Sequence, residues 1–224
     1  MSPAQAGRRG FDLQQFITVL VCRESGRLTP SRLAYDFPDY PMPSDLGSRY
    51  LDEVFRALRG HKRLADDAIA QLSDKQFFAL PSAESNSVAI LVKHMAGNMR
   101  SRFTDFLTSD GEKPDRNRDQ EFVTHPEITR DEILRAWEEQ WQLVFDTINA
   151  LQPDDLDRTV TIRGQPHSVL QALNRAATHL AYHTGQIVFV AKHWRGAEWK
   201  SLSVPKGQSE QFAAAIREKY KNPT

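Results

Sequence analysis

Residues 174–194 read NRAATHLAYHTGQIVFVAKHW, and they place His179 and His183 four residues apart in an otherwise apolar stretch. Four residues span about one helical turn, so on a helix both imidazoles project from one face. That is a metal-ligand spacing. It is equally compatible with two core histidines hydrogen-bonded to their neighbours, and the pair alone leaves both readings open. The apolar period around the pair predicts a helix from a Ser168/Gln171 capping box to about Trp194.

The rest of the chain shows the same helical period. Leu51, Val54, Leu58, His61, Ala65, Ala68 and Leu72 recur at steps of three and four and define a first long helix from about Ser44. Ser73 with Gln76 caps a short turn of helix that Pro81 ends. A second long helix begins near Ser87, buries Val88, Leu91, Met95, Met99 and Phe106, and is expected to stop at Gly111. The polar segment GEKPDRNRDQEFVTHP, residues 111–126, reads as a crossover loop. Thr129 with Glu132 caps a third helix bearing Ile133, Trp137, Val144, Ile148 and Leu151, closed by Pro153. Residues 158–167, RTVTIRGQPH, alternate around Gly164 as a small hairpin would. A last amphipathic piece covers about Glu210–Lys221. The expected fold is all-α, four principal helices with a long crossover between the second and third, a small hairpin before the fourth, and an extra C-terminal helix.

Composition narrows the function classes. Lys plus Arg and Asp plus Glu number 29 each, so the neutral chain carries no electrostatic footprint for nucleic acid or an anionic membrane surface. No apolar run reaches the roughly 18–20 residues of a membrane span. Cys22 is the single cysteine, which fits a reducing cytoplasm and leaves His, Asp or Glu to hold any metal. Arg8 and Arg9 before FITVLVC superficially resemble an export signal, but Asp12, Gln14 and Gln15 interrupt it and no small-residue cleavage site follows. Residues 1–41, ending in proline-rich sequence, are expected to be a poorly ordered extension, and 42–224 the folded domain, with translation beginning at Met42 as one explanation.

A third ligand would decide the fate of the histidine pair. In KHMAGNMRSRFTD, residues 93–105, His94, Asn98, Ser101 and Asp105 form a polar track beside the apolar stripe. Leu91 and Met95 put His94 at the edge of the core, where it can complete three imidazoles around an ion with one position open. His193 lies about 15 Å along the axis from His183, too far to share that ion. His61 is a fourth-ligand candidate, a group that hydrogen-bonds a ligand from behind, or a core histidine, and His125 and His167 sit at loop and cap positions. Gln186, one turn past His183, is placed to hydrogen-bond a bound water or substrate.

The segments KHMAGNMRSRFTDFLTSDGEKPDRNRDQEF, HLAYHTGQIVFVAKHW and SLSVPKGQSEQF resemble the DinB-like, or YfiT-like, four-helix metalloproteins over about residues 44–212. The resemblance implies His94, His179 and His183 as ligands, an up-down-down-up bundle, frequent homodimers, and zinc, nickel or another divalent ion. It also implies a transferase joining thiols such as bacillithiol, mycothiol or glutathione to small electrophiles. Asn98, Arg102 and Gln186 are the expected substrate-binding residues, with Arg116 or Arg118 as further partners for a carboxylate of the thiol. The same ligands would serve a metal-dependent hydrolase, with Asp105 as a distant proton-transfer candidate, or a non-enzymatic dimeric stress protein with a structural metal.

Overall fold

The computed structural model describes residues 45–221 apart from Thr124 and Pro126. The expected extension at 1–41, and the question of a start at Met42, lie outside the described residues. Within them the chain is mainly helical: α1 (Leu46–Ile69), the short α2 (Asp74–Phe78), α3 (Val88–Phe103), α4 (Arg130–Ala150), α5 (Val169–Arg195) and α6 (Ser209–Lys219), with one hairpin of β1 (Thr159–Ile162) and β2 (Gln165–Ser168). No described helix is long and apolar enough to cross a membrane.

The helices start where their capping residues stand. Ser73, Thr129 and Ser168 each accept an N–H from the residue three positions on, and Gln76, Glu132 and Gln171 reach back to the cap backbone. These reciprocal bonds satisfy donors that a helix N-terminus otherwise leaves unpaired. At the other end of α1, the Arg130 guanidinium donates to the carbonyls of Ile69 (3.0 Å) and Leu72 (2.8 Å), joining the α1 exit to the α4 start.

The long helices pack α1 on α5, α3 on α4, α3 on α5 and, less extensively, α1 on α4. The core between them holds Leu58, Leu91, Met95, Met99, Trp137, Trp141, Leu173, Leu180 and Ile187, all essentially inaccessible. Trp141 belongs to this core although the expected stripe of the third helix omitted it; its ring meets Trp137 edge-on and stacks on Phe145. Neighbours bury α3 on most sides, Ala89, Ile90, Val92 and Ala96 included.

One expected boundary is corrected. The second long helix stops at Phe103 instead of Gly111, because Asp105 adopts a positive φ of 48° and its carbonyl accepts the N–H groups of Thr108 and Ser109 in a turn. Phe106 stays buried in that turn, which is why the apolar period runs past the helix end. Asp105 therefore leaves the polar track of α3 and is exposed.

The crossover after α3 is pinned at both sides. Ser101 Oγ donates to the Gly111 carbonyl (2.8 Å) and accepts the Lys113 N–H (3.0 Å). Asp110 accepts backbone N–H groups from Glu112, Arg163 and Gly164 at 2.7–2.8 Å. Arg163 and Gly164 are the two-residue hairpin turn, both at positive φ (57° and 73°), the conformation that matches the strand twist. The hairpin thus anchors the crossover, whose later part forms a 3-10 turn, Asp119–Phe122, that packs back on α3.

Candidate metal centre

α3 and α5 bring His94, His179 and His183 together, with one ligand-capable atom from each lying within 4.8 Å of the others. His94 Nε2 stands 3.3 Å from His179 Nε2, and His183 Nε2 stands 3.1 Å from the same atom. Two imidazoles on one ion at the usual nitrogen distance of about 2.0–2.1 Å have their nitrogens roughly 3.3 Å apart in tetrahedral geometry, so the spacing fits a metal.

The hydrogen bonds on the far side of the rings decide what those nitrogens offer. His94 Nδ1 lies 2.7 Å from Glu121 Oε2, and the carboxylate can only accept. His183 Nδ1 lies 2.7 Å from Gln186 Oε1, again an acceptor. Both rings therefore donate from Nδ1, which directs the Nε2 of each into the cluster. His179 Nδ1 is buried without a hydrogen-bond partner among the described residues. Burial first, then the neighbouring His183 and His94 and the Arg102 and Arg116 charges, push its pKa down to about 3, which keeps the ring neutral. Burial likewise lowers His183 against the opposing bond to Gln186. With the His179 proton on its unpartnered Nδ1, all three Nε2 atoms can bind one cation, and a set of three imidazoles suits zinc, nickel or a similar divalent ion.

Glu121 is the residue that sequence reasoning missed. It comes from the 3-10 turn of the crossover, and burial would raise its pKa, yet bonds from His94 and Arg116 hold it below the usual carboxylate range. Arg116 grips it in bidentate fashion, Nε to Oε1 at 2.8 Å and Nη2 to Oε2 at 3.0 Å. The carboxylate lies directly on the α3 backbone at Gly97, where an added methyl would collide with it. A glycine in mid-helix costs roughly 1 kcal/mol against alanine, so Gly97 was the signal in the sequence that something approaches there.

The three rings open onto a cavity of about 850 Å³ whose lining includes Asn98, Arg102, Arg116, Arg118, Arg163, Arg175 and Gln186. Of the expected substrate residues, Asn98 lines the wall one turn beyond His94. Arg102 lines it as well, although its guanidinium already donates to the Gly111 carbonyl and to Glu112 (2.9 Å). Gln186 Oε1 is engaged by His183. His61 is half-buried on α1 and outside the three-histidine cluster, and His193 is exposed.

The family description "protein of unknown function (DUF1572)" matches residues 45–208, and the chain belongs to that family. No curated protein matches it.

Proposed function

We propose that this DUF1572 member is a DinB-like, metal-dependent transferase that joins a low-molecular-weight thiol to a small electrophile. In this reading the four long helices run up-down-down-up, the protein works as a cytoplasmic homodimer, and His94, His179 and His183 hold zinc or nickel. The observation that carries it is the convergence of three imidazole Nε2 atoms at a cavity large enough for two small reactants. A divalent ion there supplies Lewis acidity, lowering the pKa of a coordinated thiol or water to near neutrality.

The chain's own groups bind and orient. Glu121 and Gln186 fix the ring planes of His94 and His183 through Nδ1, and Arg116 fixes Glu121. Asn98, on the cavity wall, positions the electrophile. The thiol S–H gives its proton to solvent, sulfur bonds to the electrophilic carbon, and the carbon–leaving-group bond breaks with the electron pair departing on the leaving group. No described residue lining the cavity is a cysteine, and in this reading the thiol is a diffusible co-substrate.

A hydrolase built on the same three ligands is the alternative to test against, and mutating the histidines does not separate the two. Stoichiometry does. The metal-loaded protein should consume a thiol and an alkyl-halide or epoxide electrophile in a one-to-one ratio. Ester cleavage without thiol, with thiol acting as an inhibitor, would overturn the transferase. A structural metal predicts no turnover with either.

A further inference from the structure

Among the described residues, five arginines line the cavity, Arg102, Arg116, Arg118, Arg163 and Arg175, and no aspartate or glutamate does. Three of them are partly neutralised. Glu112 meets Arg102 at 2.9 Å and Arg163 at 3.1 Å, and Arg116 holds Glu121. Arg118 and Arg175 have no carboxylate partner among the described residues. Five guanidinium groups against two carboxylates leave three excess positive charges around one cavity, before any metal adds its own.

The two unpartnered groups flank the histidines. Arg118 lies over the Phe122 ring at 5.1 Å, and Phe122 rests against the His94 ring with centroids 4.8 Å apart. A cation–π contact holds the guanidinium in place without using its N–H donors. Arg175 sits one turn before His179 on α5, about 6 Å along the axis. Both are exposed at the cavity, and no carboxylate among the described residues offsets their charge.

We propose that Arg118 and Arg175 form an oxyanion subsite, so that the co-substrate carries a carboxylate or phosphate close to its reacting group. Guanidinium forks bind either group in bidentate geometry, and an excess of cationic charge in a walled cavity raises the local concentration of anions. The inference builds on the thiol-transfer reading: it selects acidic thiols over neutral ones such as sugar-based thiols without acid groups.

The experiment uses the cobalt-substituted full chain and two probes, mercaptosuccinate, which is a thiol with two carboxylates, and neutral 2-mercaptoethanol. Mercaptosuccinate should perturb the visible cobalt spectrum at about tenfold or more lower concentration, and in an Arg118→Gln/Arg175→Gln double variant that advantage should shrink to about threefold or less. 2-Mercaptoethanol should titrate alike in both proteins. Equal titration of the two thiols, or an advantage that survives the double substitution, would overturn the subsite while leaving thiol transfer standing. Calorimetry with succinate and with inorganic phosphate then separates the two anion types; arginine-dependent binding of either supports the subsite, and binding of neither overturns it. If no thiol perturbs the cobalt spectrum yet succinate or phosphate binds in an arginine-dependent way, the subsite stands and thiol transfer falls.

Discussion

Two polar clusters sit among the apolar faces of these helices, and they are built on opposite plans. Between α1 and α4, Lys62 donates to Asp66 (2.6 Å) and Glu138 (2.8 Å), and Trp137 Nε1 donates to the other Asp66 oxygen (2.8 Å). Donors there meet acceptors. Burial opposes charge on both Lys62 and Asp66; partner bonds win at Lys62, whose pKa rises, and burial wins at Asp66, whose pKa also rises. The two shifts have opposite consequences for the charged pair, so it closes a gap in the packing without being a large source of stability. Between α3 and α5, three imidazoles turn Nε2 toward Nε2. Outer hydrogen bonds to Glu121 and Gln186 aim two of these Nε2 atoms at a position that a divalent ion could take. The first cluster is closed, satisfied within the fold, and the second is the one to which the proposed function assigns a ligand.

The comparison breaks most visibly at the histidines. His94→Ala, His179→Ala and His183→Ala should each lower divalent-ion affinity by about 100-fold or more, read by elemental analysis after dialysis, while His193→Ala and His61→Ala keep the ion. Retention of metal by any of the first three would dissolve the distinction between the clusters.

One shell out, effects should be smaller. Glu121→Gln weakens the acceptor for His94 and strands Arg116, and Gly97→Ala drives the same carboxylate off the α3 backbone. Each should cost about 10–100-fold in metal affinity in a competition titration with a chelator. Unchanged affinity in both would reduce Glu121 to packing.

The closed cluster should respond in stability alone. Asp66→Ala leaves Lys62 and Trp137 Nε1 short of an acceptor and should lower unfolding free energy by about 2 kcal/mol in urea, with metal affinity within about twofold of wild type. Loss of metal in that variant would show the clusters to be coupled.

The smallest effect concerns the clasp between crossover and hairpin. Backbone N–H groups of Gly164 and Glu112 lead in holding the Asp110 carboxyl far below its ordinary value of 3.8. A depressed folded pKa contributes stability above the unfolded value that is lost as pH falls toward the folded one. Asp110→Asn should therefore cost about 1 kcal/mol above pH 5 or so, with the gap to wild type narrowing below about pH 3.8. A gap that widens on acidification would mean that the carboxylate charge is not what the clasp uses.

Much of this arrangement was legible in the sequence, and the illegible part has a common cause. The four long helices and the hairpin follow from local period, capping pairs and the Arg163–Gly164 turn, all within a few residues of one another. His179 and His183 are one turn apart, so the chain announces them, and His94 is betrayed by its apolar flanks. Glu121 has no such local signature. It lies 27 residues from His94, in a polar segment that reads as a loop, and reaches the ring because Ser101 and Asp110 fold the crossover back on α3. The pairing of Arg102 and Arg116 with Glu112 and Glu121 was hidden for the same reason, and it leaves Arg118 of the arginines expected from sequence and adds Arg175. The end of α3 was misread because Phe106 continues the apolar period after the backbone has turned.

The most direct test of the central claim is X-ray absorption on the metal-loaded protein, which counts the ligands. An open centre predicts three imidazole nitrogens at about 2.0–2.1 Å and one light ligand that added imidazole or thiol replaces, with the imidazole contribution falling to two in His94→Ala. Four protein ligands that resist exchange, or fewer than three imidazoles in the wild type, would contradict it.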